Sequence, residues 1–310
     1  MKRAAGLVRV ALAALLSVLM VPQAWAWGPD GHAIINSLAA SSLPSDVPSF
    51  LRSQAALDAI VYYASEPDRW RSPAEPELNA AQAPEHFIRL DLAELAGPLP
   101  RRRYEYIRAL AAAQQKHPEL NLTPEFVGLQ PYVTSEIYER LKSAFRDYRA
   151  LQAAHQDMRP SEAEITFLAG WLGHYVGDGA MPLHSSIQYD GWVGANPNGY
   201  TTAKGIHWKF ENDFVHANVT RSDVAPLVAN TKPVVLGDVF EDYIAYLRQG
   251  RQLAERVYQL DKTGALTGAG TPESKAFTAR QLAAGATELR NMIYTAWIQS
   301  GEPVSAATKH

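Results

Sequence analysis

The stretch SEAEITFLAGWLGHYVGDGAMPLH, residues 161–184, decides the fold class of this chain. Its apolar residues recur at the three- and four-residue spacing of an α-helix. Ser161 and Glu164 match the capping box that begins many helices, while Gly179 and Pro182 predict where the helix ends. The stretch therefore predicts a long helix followed by a break.

The same helical spacing recurs along most of the remaining chain. It predicts further helices over 32–43, 101–117, 133–155, 205–218, 237–260 and 272–299. Two segments rich in proline or glycine, 64–86 and 189–204, are predicted to be irregular. No segment has the alternating pattern of a β-strand. The predicted fold class is all-α, a compact single-domain fold of many helices.

The first 26 residues have the pattern of a secretory signal peptide. Basic residues near the start precede an apolar run over 10–21, and Ala24-Trp25-Ala26 forms a cleavage site. The run is short for a bilayer span, although an uncleaved anchor is the alternative. We expect a mature domain over 27–310, secreted or periplasmic, with no transmembrane segment after removal of the signal.

The composition limits the chemistry of the chain. Hydrophobic residues make up 47% and charged residues 20%, as in an ordinary globular protein. Removal of the signal takes away three of the 29 basic residues, which leaves the 32 acidic residues in excess by six. The totals give no sign of a basic groove. Because there is no cysteine, any metal site must be built from histidine, carboxylates and backbone atoms.

A histidine and an aspartate lie four residues apart in the predicted central helix. His174 and Asp178 would share one helix face and could bind one metal ion, and His184 follows the helix break. One such pair arises easily by chance, and a surface or core histidine beside a carboxylate is the simpler interpretation of the pair alone.

A second pair repeats the spacing in GIHWKFEN. His207 and Glu211 are again four apart, whereas Trp208 and Phe210 fall on other faces and are expected to pack. Two such pairs within 40 residues favour a metal site between facing helices.

Two earlier residues are candidates that remain ambiguous by themselves. His86 lies in PEHFIRL and is open to interpretation as a core histidine, and Asp68 in SEPDRWR as an ion-pair partner of a neighbouring arginine. Imidazole and carboxylate without thiolate favour catalytic zinc, and several such ions suit phosphodiester hydrolysis.

The order of these residues resembles the superfamily of bacterial zinc-dependent phospholipases C and fungal single-strand-specific zinc nucleases. The resemblance covers residues 27 to about 216. The nine matching positions are Trp27, His32, Asp68, His86, His174, Asp178, His184, His207 and Glu211. His117, His155, His216 and His310 have no place in the pattern.

The resemblance implies an all-α domain with three Zn²⁺ ions in a cleft. It assigns the first zinc to Asp68, His86, His174 and Asp178. It assigns the second to His184, His207 and Glu211, and the third to Asp178, His32 and the amine and carbonyl of Trp27. Asp68 would also orient or deprotonate the attacking water, although Glu66 and Asp58 are alternatives for its place.

The two branches of the superfamily leave the substrate open. Glu211 in GIHWKFEN is similar to the phospholipase branch, whereas WGPDGH and PDRWR resemble the nucleases. We expect cleavage of phospholipids, with a single-strand endonuclease or 3′-nucleotidase and a non-catalytic exported zinc-binding protein as alternatives. The expected partner is a phospholipid or single-stranded nucleic acid, with possible peripheral membrane contact and no protein partner.

Aromatic residues near the predicted site suggest how each substrate could be held. For a phospholipid, Trp192, Val193 and Tyr200 could line a lipid-facing rim, with ordinary loop packing as the alternative. For a nucleic acid, Phe87 could stack on a base.

Overall fold

The computed structural model describes residues 27–304. The predicted signal peptide over 1–26 and His310 lie outside the described residues. The α-helices are α1 Pro29–Ser41, α2 Gln54–Tyr63, α3 Glu66–Arg69, α4 Pro76–Gln82, α5 Leu90–Ala93, α6 Arg103–Lys116, α7 Pro124–Val127, α8 Gln130–Ala153, α9 Arg159–Ala180, α10 Ile206–Trp208, α11 Val215–Asn218, α12 Arg221–Ala229, α13 Val239–Gln252, α14 Ala254–Lys262 and α15 Pro272–Ser300.

Shorter helical turns complete the secondary structure. The 3₁₀ segments are Ser49–Arg52, Ala83–His86, Glu94–Ala96 and Pro182–Ser185, and Lys209–Phe214 is a π-helix. Between residues 27 and 304 the only β-type pairing is an isolated bridge between Ile88 and Gly128. The all-α prediction is confirmed.

Two local predictions are wrong. The capping box fails because α9 begins two residues before Ser161, whose hydroxyl donates instead to the Ala144 carbonyl of α8 at 3.2 Å. The helix predicted over 237–260 is interrupted at Leu253, where α13 ends and α14 begins. Apolar residues continue at helical spacing across this break, so periodicity could not reveal it.

The long helix α9 lies at the centre of the fold. Helices α8, α15, α2, α1 and α13 all pack against it. Most of its second half is buried, from Leu172 to Ala180. A helix surrounded on all sides is apolar around its circumference, except where buried polar residues have a specific role. The polar residues His174 and Asp178 in this buried half are such exceptions.

Glycines on α9 let two neighbouring helices approach closely. A Cβ on Gly170 would lie 2.6 Å from the Cβ of Tyr63 in α2, and a Cβ on Gly177 would lie 2.9 Å from His32 Nδ1 in α1. Asn36 of α1 joins the three helices, because its Nδ2 donates to the carbonyls of Ile60 and Gly170. The glycines therefore position His32 against the buried half of α9.

The two segments predicted to be irregular differ in the structure. Residues 64–86 contain α3, α4 and a 3₁₀ turn, whereas 189–204 contains no helix. The Asp190 carboxylate accepts from the Gly205 amide at 2.7 Å and ties the loop to α10. Within the described part of the chain, no helix is both long enough and apolar enough to cross a bilayer.

Candidate metal centre and adjoining cavity

The first cluster joins three segments far apart in sequence. Asp68 of α3, His86 and His174 of α9 each offer a ligand atom, and these atoms lie within 4.8 Å of one another. His174 Nε2 and His86 Nδ1 are 3.0 Å apart. All three side chains are almost fully buried. Glu66 and Asp58, the alternatives to Asp68, lie elsewhere: Glu66 pairs with Arg69, and Asp58 is exposed.

The second cluster shares His174 with the first. It contains His32, His174 and Asp178, and all three side chains are completely buried. His32 Nε2 lies 3.4 Å from Asp178 Oδ1, while Asp178 Oδ2 lies 3.2 Å from His86 Nδ1. The two carboxylate oxygens of Asp178 therefore face different clusters, as a bridging ligand requires.

The third cluster is formed by His184, His207 and Glu211. The Nε2 atoms of the two histidines are 3.0 Å apart, and Glu211 Oε2 lies 2.9 Å from His207 Nε2. Glu211 belongs to the π-helix, a distortion that is frequent at functional sites. The four-residue spacing predicted to bring His207 and Glu211 together does so here.

Backbone carbonyls fix the orientation of three histidine rings. The Nδ1 atoms of His174, His184 and His207 contact the carbonyls of Ala64, His86 and Tyr189 at 2.7, 2.6 and 2.7 Å. Each Nδ1 then carries the proton and donates it, so that Nε2 presents its lone pair to the cluster. Metal-binding histidines are commonly held in this way.

The electrostatics of the clusters reflect their burial. Burial raises the pKa of Asp68 to about 8 against the lowering effect of Arg71, and burial together with Asp68 raises the pKa of Asp178 well above its usual value. Burial lowers the pKa of both His86 and His174. These histidines therefore remain neutral at neutral pH, which is the form that binds metal.

The pKa shifts in the third cluster differ because a carboxylate, Glu211, and an imidazole, His207, each favour the charged form of the other. Burial alone would raise the pKa of Glu211, but His207 and His184 outweigh it and lower that pKa. Burial would likewise lower the pKa of His207, but Glu211 outweighs it and raises that pKa. Glu211 is therefore held in its ionised form.

The three clusters fit zinc by both spacing and charge. Ligand atoms around one tetrahedral zinc, with bonds of about 2.0–2.1 Å, lie roughly 3.3 Å apart. The distances between neighbouring ligand atoms within the clusters range from 2.9 Å between His207 and Glu211 to 3.9 Å between Asp68 and each of its two histidines. Both oxygens of Asp68 and of Asp178 are buried and accept no hydrogen bond from residues 27–304. Buried carboxylates without donors are costly, and a bound cation would compensate for them.

Trp27 lies at the start of the described chain and is completely buried. Its ring packs against Phe210, with ring centroids 5.5 Å apart. The amide of the next residue, Gly28, donates to the Glu211 carbonyl at 3.2 Å. The segment around Trp27 is thus joined to the segment that carries the third cluster. The side chain of Phe210 packs, as the sequence indicates.

The other predicted residues take ordinary positions. His117 lies near Glu119, His155 is exposed, and His216 pairs with Asp30 on the surface. In the 189–204 loop, Trp192 and Tyr200 pack on each other and on Tyr258, whereas Val193 is exposed. Loop packing therefore accounts for these two aromatic side chains.

A cavity of about 150 Å³ opens beside the clusters. Its lining residues are Arg71, His86, Phe87, Arg89, Leu183, His184, Ser186, Tyr189 and His207. Three of the nine are histidines of the first and third clusters, so a molecule in this cavity lies next to both. Sequence reasoning missed Arg89 and Tyr189. Their only sequence signal is position, since each lies a few residues after a cluster histidine, His86 or His184.

Comparison with known proteins finds a likeness in structure but none in sequence. No family model matches the sequence, and no curated protein matches it. The crystal structure of the alpha-toxin of Clostridium perfringens, isolated from an avian strain, is similar with a TM-score of 0.43. Identity is 15%, and the match covers 92% of this chain and 68% of that chain. The all-α fold and the three clusters agree with the resemblance to zinc phospholipases C and zinc nucleases.

Proposed function

We propose that this chain is an exported zinc-dependent phosphodiester hydrolase that cleaves phospholipids on the glycerol side of the phosphate. The observation that carries the proposal is the arrangement of three histidine and carboxylate clusters, of which the first two are linked through His174 and Asp178 and the first and third adjoin one cavity. Multinuclear sites of this kind suit in-line displacement at phosphorus. The glutamate at position 211 favours the phospholipase branch over the nucleases.

The proposed ligand sets follow the clusters. One zinc would be held by Asp68, His86, His174 and Asp178, and a second by His184, His207 and Glu211. A third would be held by Asp178, His32 and the amine and carbonyl of Trp27, once cleavage behind Ala26 has freed that amine.

Residues of the first cluster and of the cavity wall would have different roles in hydrolysis. Bound zinc would supply a water of lowered pKa and polarise the phosphoryl oxygens. Asp68 would orient the attacking water and accept its proton, as the resemblance implies. Arg71 in the cavity wall adds positive charge near the scissile phosphate.

A paired substrate assay tests the proposal. The mature protein beginning at Trp27 is supplied with zinc and incubated with phospholipid vesicles and, separately, with single-stranded DNA. We expect release of diacylglycerol and a phosphorylated headgroup. Cleavage of DNA alone would establish the nuclease alternative, and bound zinc without turnover on either substrate would establish a non-catalytic zinc-binding protein.

A variant of the shared ligand tests the site itself. His174→Ala removes a ligand atom from two clusters, so we expect at least about a 100-fold loss of activity, less bound zinc and a lower melting temperature. The matched control is His117→Ala, a half-exposed histidine outside the clusters. Unchanged zinc content and melting temperature in His174→Ala would rule out the assigned ligand sets.

A further inference from the structure

Arg89 occupies an aromatic cage in the wall of the cavity. Its guanidinium carbon lies 4.6 Å from the ring centre of Phe87, 4.2 Å from that of Phe126 and 4.3 Å from that of Tyr189. The Arg89 amide donates to the Val127 carbonyl at 2.7 Å, which fixes the backbone beneath the side chain. Three rings and a backbone bond thus hold the guanidinium in one place.

The guanidinium of Arg89 retains unused hydrogen-bond donors. The residue is only 6% exposed, yet its Nε and Nη1 atoms have no hydrogen-bond partner among residues 27–304. Burial lowers the pKa of this arginine, in keeping with a cation that is poorly solvated. A buried arginine normally satisfies its N–H groups with a carboxylate or carbonyl, because an unpaired buried donor is costly. A guanidinium that lines the cavity while two of its buried nitrogens stay unpaired therefore points to a ligand at this wall.

The charge of the cavity wall identifies the kind of ligand. The nine lining residues include two arginines, Arg71 and Arg89, and no carboxylate. Lys204 adds a further cation nearby, since its Nζ lies 4.7 Å from the ring centre of Tyr189. The wall beside the clusters is thus suited to an anion.

The same cage argues against a cationic headgroup. Aromatic cages bind quaternary ammonium groups such as choline through their ring faces. Here the faces of Phe87, Phe126 and Tyr189 are engaged by a guanidinium of the protein itself. A choline group would have to displace this guanidinium or remain next to it, at the cost of like-charge repulsion.

We propose that Arg89 selects substrates whose headgroup carries an anionic group of its own, a carboxylate or a second phosphate, in addition to the scissile phosphate. This inference rests on the proposed function and deepens it. The guanidinium of Arg89 pairs with the second anion through a charge-assisted hydrogen bond from the part of the group that lines the cavity, a chemistry that suits carboxylate and phosphate oxygens. Arg89 is thus a specificity-determining residue rather than one that takes part in bond cleavage.

Kinetics on two matched lipids test the selection. Phosphatidylserine and phosphatidylcholine share the diacylglycerol and the scissile phosphate, but only the serine headgroup carries a carboxylate. We expect the zinc-loaded wild-type protein to have a kcat/KM at least about tenfold higher for phosphatidylserine. An equal or higher value for phosphatidylcholine would overturn the inference without any variant.

Variants of Arg89 then assign the preference to this side chain. Arg89→Gln should lower kcat/KM for phosphatidylserine by about 10- to 100-fold, chiefly through KM, and should not lower it for phosphatidylcholine, because the like-charge repulsion with choline is removed. Arg89→Lys keeps the charge without the guanidinium and should fall between the two. The control is Arg248→Gln, which removes an exposed arginine outside the cavity. An equal loss on both lipids in Arg89→Gln and Arg89→Lys would mean a structural role and overturn the inference.

A binding measurement separates this inference from the proposed function. Calorimetric titration of the zinc-loaded protein with phosphoserine and with phosphocholine needs no turnover. We expect tighter binding of phosphoserine, with the difference lost in Arg89→Gln. If this result were obtained but no lipid were cleaved, only the proposed function would fail. If phosphocholine bound as tightly as phosphoserine, the inference would fail even in an active enzyme.

Discussion

At the scale of a single residue, Asp68 shows how the clusters affect the stability of the folded protein without metal. Its carboxylate is buried, accepts no hydrogen bond from residues 27–304 and has a pKa raised to about 8. In the unfolded chain the same group would titrate near 4. The folded protein without metal therefore holds a proton on Asp68 over the range in which the unfolded chain has already lost it.

This difference predicts a pH dependence for the zinc-free protein. Because the pKa of Asp68 is raised on folding, its contribution to stability is complete below about pH 4 and is lost as the pH rises towards 8. Asp68→Asn removes that contribution. In chelator, we expect the melting temperature of Asp68→Asn to increase relative to that of the wild type as the pH rises from 4 to 8.

The control for this titration is Asp58→Asn, which makes the same chemical change at an exposed position on α2. Its melting temperature should follow the wild type at every pH. With saturating zinc the order should reverse, so that Asp68→Asn is the less stable protein, because it has lost a proposed ligand. Parallel melting curves for Asp68→Asn and the wild type in chelator would contradict the assigned burial of this carboxyl.

The sequence predicts the candidate metal residues far better than it predicts Arg89. His174 with Asp178 and His207 with Glu211 are local pairs, whose four-residue spacing on a helix already brings them together. The cage around Arg89 combines residues from three separate segments, near 87, 126 and 189. Its existence depends on tertiary packing, which no local pattern reports.

At the scale of an element, α9 has two roles, one carried by its polar residues and the other by its glycines. It carries His174 and Asp178, and its glycines admit α1 and α2 to close packing. A helix interior normally disfavours glycine by about 1 kcal/mol relative to alanine. Here the loss of helix propensity accompanies the approach of His32 to Asp178.

Gly177→Ala tests this arrangement. The added methyl group would lie 2.9 Å from His32 Nδ1, so the ring must shift from the position in which it faces Asp178 or the two helices must move apart. We expect a protein that still folds, binds less zinc and loses about tenfold or more of its activity, despite the better helix propensity of alanine. Bound zinc measured by mass spectrometry, together with helicity by circular dichroism, would check both parts.

Gly237→Ala provides the comparison for Gly177→Ala. A Cβ at this position has no neighbour within 4 Å, and its backbone does not have the positive φ that requires glycine. This variant should keep its zinc and activity. If Gly177→Ala behaved in the same way, close packing of α1 on α9 would not position His32.

At the scale of the whole molecule, the segment around Trp27 contacts the segment that carries the third cluster. Trp27 is buried, and the Gly28 amide donates to the carbonyl of Glu211. The third zinc of the proposal is the one held by His32 and Asp178 of the second cluster, and it also takes the amine of Trp27. This amine titrates near 8 when free and is a poor ligand when it is part of a peptide bond.

One alanine added before Trp27 tests the proposed amine ligand. We expect about one zinc fewer per molecule and reduced activity, because the proposed amine ligand becomes an amide. The same alanine added after His310 should change neither quantity. Full zinc content and activity with the extra residue before Trp27 would remove this amine from the ligand set.

Much of the overall architecture follows from periodicity. Long helices such as α6, α8, α9 and α15 match their predicted ranges within a few residues. The short helices α3 and α4 in the proline-rich segment could not be predicted, since one or two turns contain too few residues for a periodic pattern. The interruption at Leu253 could not be predicted either, because apolar residues continue at helical spacing across it.

The clusters have a further consequence for a chain without cysteine. His86 and His174 meet across 88 residues of sequence, and His184 and His207 across 23. An ion held by such pairs closes the loops between them and reduces the conformational freedom of the unfolded chain, as a disulfide does. Unlike a disulfide, this cross-link is insensitive to reducing agents and is undone by chelators. Resistance to proteolysis should therefore depend on the supply of metal rather than on the redox state of the surroundings.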